Sequence, residues 1–121
     1  MQLKFRDDGK YIATSKSGRL TRSDVSILID EAKRCNRIVD LSGRDLHGLN
    51  LSKFSLGRAK ISNANLSGAN LSNTTLFNAD LSDSNLSDAD LSYADLSYSN
   101  MAHAKMAGAN LFSAMLLKTI T

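Results

Sequence analysis

The sequence contains no proline and no tryptophan, and it has a single cysteine, Cys35. One cysteine cannot form a disulfide within the chain, which is typical of a protein kept in a reducing compartment. No apolar stretch approaches the ~18 residues of a membrane-spanning helix, and the N-terminus has no apolar core like that of a signal peptide. We therefore expect a cytoplasmic protein that does not enter a membrane.

Motifs for catalysis and metal binding are also lacking. The sequence has no Gly-rich phosphate loop and no zincin pair of histidines. Cys35 has no histidine near it in the sequence that would activate a thiolate nucleophile. We predict no enzyme, no catalytic residues, no cofactor and no metal site.

Charge is divided unevenly along the chain. Residues 1–38 contain nine Lys/Arg and five Asp/Glu, whereas residues 39–121 contain six and seven. Residues 1–38 are thus modestly basic and residues 39–121 are nearly neutral. This distribution of charge does not favour direct nucleic-acid binding.

A five-residue repeat occupies residues 39–118 without an insertion or a deletion. The third residue of each pentapeptide, here called the centre, is a long apolar side chain in all sixteen repeats. The residue before the centre is Asp or Asn in eleven repeats, and the residue after it is Ser in nine. The centres, which form the predicted core ladder, are Leu41, Leu46, Leu51, Leu56, Ile61, Leu66, Leu71, Leu76, Leu81, Leu86, Leu91, Leu96, Met101, Met106, Leu111 and Leu116.

A period of five fits neither a regular helix nor a regular strand. Five residues of α-helix turn about 500°, so the centres would not form a stripe. Along a strand an odd period would alternate the centres between two faces. The chain must therefore bend once per repeat, with the centre and the small residue two positions before it pointing inward. A short fixed period of this kind is typical of a solenoid.

The pattern Ala-(Asp/Asn)-Leu-x-x, as in residues 64–68 and 89–93, resembles the pentapeptide-repeat proteins. The resemblance implies an all-β solenoid, a right-handed quadrilateral β-helix of about four coils. With four pentapeptides per coil, the coils are 39–58, 59–78, 79–98 and 99–118. The first coil departs from the pattern, either as an adapter to the preceding segment or as an eroded repeat. Its small-residue positions hold Val39, Arg44, Leu49 and Phe54.

Residues 1–38 are predicted to form an N-terminal cap on the β-helix of residues 39–121. A short hairpin is expected from residues 2–5 and 11–13, with an Asp-Gly turn between them. An α-helix is expected at 22–35, with Thr21 as N-cap, Asp24 in its first turn and Asn36 ending it. Its apolar face would cover the exposed edge of the first coil.

The third coil holds five aspartates and two tyrosines but no Lys or Arg. Exposed aromatic residues are frequent at interfaces, so this coil is a candidate partner-binding belt. The alternative is that the aspartates before the centres stabilise the bends through side-chain to backbone hydrogen bonds. The candidate partner-binding residues are Asp80, Asp83, Asp88, Asp90, Asp95, Tyr93 and Tyr98.

The last coil has apolar residues at outward positions that hold Ser, Asn or Asp in earlier coils. One hypothesis is that two chains associate tail to tail through this coil, as the resemblance also implies; the other is that further repeats follow. The candidate end-contact residues are Phe112, Met115, Leu116, Leu117 and Ile120.

The sequence predicts a non-enzymatic, rigid scaffold that binds an unidentified protein partner. The resemblance implies an alternative, in which the chain inhibits or protects DNA gyrase, a type II topoisomerase, by mimicking DNA. The charge fits this alternative poorly, since duplex DNA carries one charge per ~1.7 Å. An effector delivered into another cell is a third class that the family allows.

Overall fold

The computed structural model describes the backbone of residues 2–5 and 11–14 and all of residues 19–121. Strands β1 (Gln2–Phe5) and β2 (Tyr11–Thr14) pair antiparallel, with Gln2 opposite Thr14 and Phe5 opposite Tyr11. The predicted Asp-Gly turn lies outside the described residues.

Helix α1 spans Arg22–Arg34, so the predicted end at residue 35 was one residue too late. Thr21 and Asp24 form a capping box, in which the side chain of each residue accepts a hydrogen bond from the backbone amide of the other. Cys35 is the C-cap and Asn36 has φ +53°. The amide of Arg37 donates to the carbonyl of residue 32 at 2.8 Å, which completes a Schellman motif and ends the helix.

Residues 39–120 wind into a solenoid in which positions twenty apart lie side by side. Parallel bridges join Asp40 to Lys60 and Lys60 to Asp80. The same pairing of residues twenty apart continues along the tube and ends with Asn100 and Ile120. Leu81 donates its amide proton to the Asn100 carbonyl at 2.7 Å, and this bond recurs along the tube. Each repeat has one bridged residue, because the chain turns before a longer strand can form.

The turns have a backbone conformation that the sequence did not predict. In every repeat the second residue after the centre has a positive φ, between +53° and +75°. The next residue donates its amide proton to the centre's carbonyl, as Ala94 does to Leu91 at 3.1 Å. A positive φ at the third turn position is the type II pattern, which favours Gly and Asn. This chain nevertheless places Tyr93 and Tyr98 at that position.

The interior is narrow and filled by buried side chains. All centres from Leu41 to Met101 are at most 4% exposed, and small residues from Ala59 to Ser99 fill the inward positions between them. The Ser84 hydroxyl in this interior donates to the Leu81 carbonyl at 2.6 Å, so its polarity is satisfied. Towards the C-terminal end the core ladder opens, and Leu116 is 46% exposed.

Helix α1 lies on the first coil and donates hydrogen bonds to backbone carbonyls at the edge of that coil. The Arg22 guanidinium donates to the carbonyls of Asn50 and Ser52 at 2.9 and 3.0 Å. Carbonyls at these repeat positions in later coils accept amide protons from the preceding coil, as Asn70 does from Leu51. The same guanidinium stacks 4.1 Å from the centre of the Phe54 ring. The large Phe54 side chain is therefore one of the contacts between α1 and the coil, which supports the adapter interpretation.

Within the described residues, α1 is neither long enough nor apolar enough for a bilayer crossing.

Candidate protein-interaction surface

The turns stack into four corners that run along the tube. In the third coil, corner A is Ser82 and Asp83, corner B is Ser87 and Asp88, corner C is Ser92 and Tyr93, and corner D is Ser97 and Tyr98. The equivalent residues of neighbouring coils, twenty positions away, lie directly above and below them.

Three of the five candidate aspartates have a structural role within the turns. Asp80, Asp90 and Asp95 are half-buried, and each accepts a backbone amide proton from the residue two positions later at 3.0 Å. Asn70 makes the same bond to Ser72 at 3.0 Å. The proposed bend-stabilising role of these side chains is thus present, and it occupies one carboxylate oxygen of each.

The other two candidate aspartates point into solvent on a different side from the tyrosines. Asp83 and Asp88 are exposed on corners A and B, whereas Tyr93 and Tyr98 are exposed on corners C and D. The Asp88 carboxylate lies over Gly108 of the next coil, in space that a Cβ at Gly108 would enter. The acids and the aromatics are therefore not one continuous belt.

Asp90 shows how strongly a turn holds its carboxylate. The Ser92 hydroxyl donates to Asp90 Oδ1 at 2.6 Å and the Ser92 amide donates to the same atom at 3.0 Å. These two bonds lower the pKa of the Asp90 carboxyl, against a smaller opposing effect of burial.

This pKa shift predicts a pH-dependent contribution to stability. A carboxyl whose pKa is lower in the folded state stabilises the fold fully above its unfolded value of 3.8, and this stabilisation is lost as pH falls through the lower, folded value. Asp90→Asn keeps the acceptor oxygen, as Asn70 does, and should cost at most about 1 kcal/mol at neutral pH. Urea unfolding at pH 7 and near pH 3 should show that the variant loses less stability in acid than the parent chain.

The reciprocal change provides the control. Asn70→Asp places a carboxylate in the same turn geometry beside Ser72. It should add acid sensitivity where Asp90→Asn removes it. Equal acid sensitivity in both variants and the parent would contradict the assignment to the turn bonds.

Corners C and D carry a group of exposed apolar side chains that we call the aromatic face. Tyr93 and Phe112 meet edge to face at corner C, with ring centres 5.7 Å apart. Phe77 and Tyr98 do the same at corner D, with ring centres 5.4 Å apart. The aromatic face consists of Phe77, Tyr93, Tyr98, Phe112 and Leu117, all between 40% and 64% exposed.

A lysine borders the aromatic face, and corners A and B carry no similar group of apolar side chains. Lys118 Nζ lies 5.9 Å from the centre of the Tyr98 ring. Corners A and B hold only Ser, Asn, Asp, Gly, Ala and His. The sequence predicted a surface role for the two tyrosines but not for Phe77, because only the twenty-residue stacking brings Phe77 onto Tyr98.

The predicted end-contact residues are all exposed. Met115 precedes Leu116, Leu117 follows it at corner D, and Ile120 pairs with Asn100. Phe112 and Leu117 belong to the aromatic face as well, so the face continues into the last coil. Self-association through these residues stays a prediction.

Among residues 19–121, no group of three or more His, Cys, Asp or Glu side chains is arranged to hold a metal ion. His47 bonds locally to Asp45 at 2.7 Å, and His103 lies at corner A of the last coil. The two histidines are thus not brought together.

Comparison with known families agrees with the five-residue repeat. The family model "Pentapeptide repeats (8 copies)" matches residues 40–76, 55–92 and 75–112. The chain belongs to the pentapeptide repeat family. Comparison with curated proteins finds no match.

Solved pentapeptide repeat proteins share the fold. HetL, involved in heterocyst differentiation regulation in the cyanobacterium Nostoc sp. strain PCC 7120, is 36% identical with a TM-score of 0.67. The similarity covers 70% of this chain and 39% of HetL. A pentapeptide repeat protein of the Arabidopsis thaliana thylakoid lumen is 29% identical with a TM-score of 0.65, over 67% of this chain and 57% of the relative. This chain therefore spans well under two thirds of either relative.

Pentapeptide repeat proteins form β-helical solenoids and generally act as structural or scaffold proteins. Action on gyrase by DNA mimicry stays a prediction for this member. Residues 39–121 carry six Lys/Arg against seven Asp/Glu, and Asp80, Asp90 and Asp95 are engaged in turns. The resulting surface has little of the charge density of a duplex.

Proposed function

We propose that this pentapeptide repeat protein is a non-enzymatic, rigid scaffold that binds a protein partner through its aromatic face. The scaffold is a right-handed quadrilateral β-helix of four coils, with the N-terminal hairpin and α1 as its cap. The observation that carries the proposal is the confinement of Phe77, Tyr93, Tyr98, Phe112 and Leu117 to two neighbouring corners.

Such a face suits protein recognition for physical reasons. Clustered aromatic side chains supply large apolar area at a low cost in conformational entropy, and they are enriched among residues that dominate binding energy. The backbone beneath them is held by hydrogen bonds between coils, as Tyr93 to Phe112 at 2.9 Å and Tyr98 to Leu117 at 2.8 Å. The face is therefore ordered before a partner arrives, which lowers the entropy cost of binding.

The repeat itself supplies substitutions that remove the face without disturbing the fold. Asn occupies the position of Tyr93 and Tyr98 in other repeats, at Asn73 and Asn78 with the same positive φ. Ser is the commonest residue at the position of Phe77 and Phe112. The test variant combines Phe77→Ser, Tyr93→Asn, Tyr98→Asn and Phe112→Ser. We expect quantitative crosslinking in cell extract to recover a specific partner with the parent chain and to lose it with this variant.

The matched control is Asp83→Asn with Asp88→Asn, which removes the exposed acids from corners A and B. This control should bind like the parent. Loss of the partner in the control, with binding retained in the aromatic variant, would overturn the proposal in favour of an acidic site. A gyrase supercoiling titration, with and without a quinolone, should show no effect of the parent chain; inhibition or protection would favour DNA mimicry.

We further propose that the chain can associate with a second copy through Phe112, Met115, Leu116, Leu117 and Ile120. Burial of these exposed apolar residues would supply the driving force. Sedimentation velocity should show a dimer that dissociates across about a tenfold dilution, because association obeys mass action. A monomer at every concentration would contradict this part of the proposal.

A further inference from the structure

A cavity of about 590 Å³ lies where the C-terminal end of α1 meets the first two coils at corner D. This volume falls in the range of about 300–1,000 Å³ typical of small-molecule sites. One wall is apolar and consists of Ile29, Ile38 and Val39. The hydroxyl residues Ser55 and Thr75, which bridge to each other between coils, form another part of the lining.

Among the residues that the structure describes, three cations and no acid contribute to the lining of this cavity. Lys33, Arg37 and Arg58 all contribute to its wall. Within the part of the chain that the structure describes, neither Lys33 nor Arg58 has an ion pair or a side-chain hydrogen bond. Glu31, the nearest acid along the last turn of α1, is paired with Arg34 instead.

Three of the last four carbonyls of α1, beside the cavity, are already hydrogen-bonded. The carbonyls of Glu31, Ala32 and Lys33 accept the amides of the Schellman turn. The remaining negative dipole of a helix C-terminus is a weaker influence than the full positive charges of Lys33 and Arg58. The cavity is thus electrostatically suited to an anion.

Gly57 keeps the cavity open. Its repeat position is filled by Phe77, Ser97 and Leu117 in the later coils. A Cβ at Gly57 would meet only the Phe77 carbonyl oxygen at 3.6 Å and Thr75 Cγ2 at 3.9 Å, which are ordinary contacts. The backbone therefore tolerates a side chain at this position, and its absence leaves space next to Arg58.

We infer that this cavity binds a small organic phosphate, with the phosphate at Lys33 and Arg58 and an apolar body against Ile29, Ile38 and Val39. A phosphate monoester carries a charge of about −1.5 to −2 at neutral pH and three acceptor oxygens, which suits a site lined by more than one cation better than a carboxylate does. Guanidinium groups also bind phosphate oxygens in a bidentate way. This site adjoins Phe77 of the aromatic face at corner D but shares no lining residue with that face, and it does not depend on the proposed scaffold function.

Phenyl phosphate is the probe, because it combines a phosphate with an apolar ring. We would titrate it into the ¹⁵N-labelled full chain and follow amide chemical shifts, with inorganic phosphate, benzoate and phenol as comparisons. Saturable shifts are expected at the amides of Lys33, Arg37, Arg58 and Thr75. Phenyl phosphate should bind more tightly than inorganic phosphate, benzoate or phenol, since none of these combines both parts.

Two variants test the assignment independently. Gly57→Leu fills the cavity with the residue that the chain uses at Leu117, and it should abolish the saturable shifts. Lys33→Gln with Arg58→Gln should weaken binding by about tenfold or more through loss of charge-assisted hydrogen bonds. The matched controls are Ala107→Leu, at the same repeat position in an exposed turn, and Lys53→Gln with Lys118→Gln, which removes two corner charges elsewhere.

Both controls should bind phenyl phosphate like the parent chain. Absence of saturable shifts in the parent would overturn the inference, as would undiminished binding by the Lys33→Gln, Arg58→Gln variant. Equal affinity for benzoate would overturn the assignment to phosphate. If Gly57→Leu does not fold, the charge variant alone decides.

Discussion

Leu81→Lys is expected to unfold the 121-residue chain or nearly so, with a loss of more than about 4 kcal/mol in the free energy of unfolding. Leu81 is fully buried in the third coil, and its neighbours inside the tube are other centres and small inward residues. A lysine there leaves an ammonium group without water or a counter-ion. Because small domains are stable by only about 5–15 kcal/mol in total, such a loss decides whether the chain folds. Urea unfolding followed by circular dichroism measures it.

Ser82→Lys is the matched control, one residue further along the chain. Ser82 is half-buried, and its hydroxyl donates to Asp80 Oδ1 at 2.6 Å. The change therefore costs a hydrogen bond of about 0.5–1.5 kcal/mol but buries no charge, because the longer side chain extends into solvent. Similar losses for the two lysine variants would contradict the inward position of Leu81.

The second large effect is expected when a small inward side chain is replaced by a large one. Ala89 is 1% exposed between the centres of the third coil. Ala89→Leu forces three extra carbons into a tube whose width is set by hydrogen-bonded turns, and overpacking of this kind costs about 1–3 kcal/mol. The midpoint of urea unfolding should fall accordingly.

Ala109 is the matched control, because it lies twenty residues later on the same side of the tube. It is only half-buried, since the interior opens in the last coil. Ala109→Leu should therefore cost less than Ala89→Leu and can even be stabilising through new apolar contact. Equal costs at the two positions would mean that tube width does not limit the inward side chain.

Much of the fold could be predicted from local patterns. The N-cap Thr21 with Asp24, and the apolar face of α1, follow from helix rules that act over three or four residues. The inward position of centres such as Leu81 follows from the five-residue period, because only a bend in every repeat brings them to one side. The buried Leu81 and the half-buried Ser82 agree with that register.

The candidate surface could be predicted only in part. Tyr93 and Tyr98 stand out as aromatic residues at polar positions, but their ring partners Phe112 and Phe77 are about twenty residues away in the sequence. Asp90 accepts its hydrogen bonds from Ser92 of the same repeat, in agreement with the bend-stabilising alternative given by the sequence. The aromatic pairs, in contrast, depend on contacts between coils that a single repeat does not contain.

The sequence by itself determined the repeat register, the apolar core from Leu41 onward and the start of α1, because each follows from side-chain polarity at short, regular spacing. The tertiary structure alone decided which residues meet across coils: the aromatic face at corners C and D, the bonds of Arg22 to the free carbonyls, and the cavity beside Gly57. The physical reason is that a period of five leaves open how many bends close one coil. That number is set by the backbone conformation of the turns and by the hydrogen bonds between residues twenty apart.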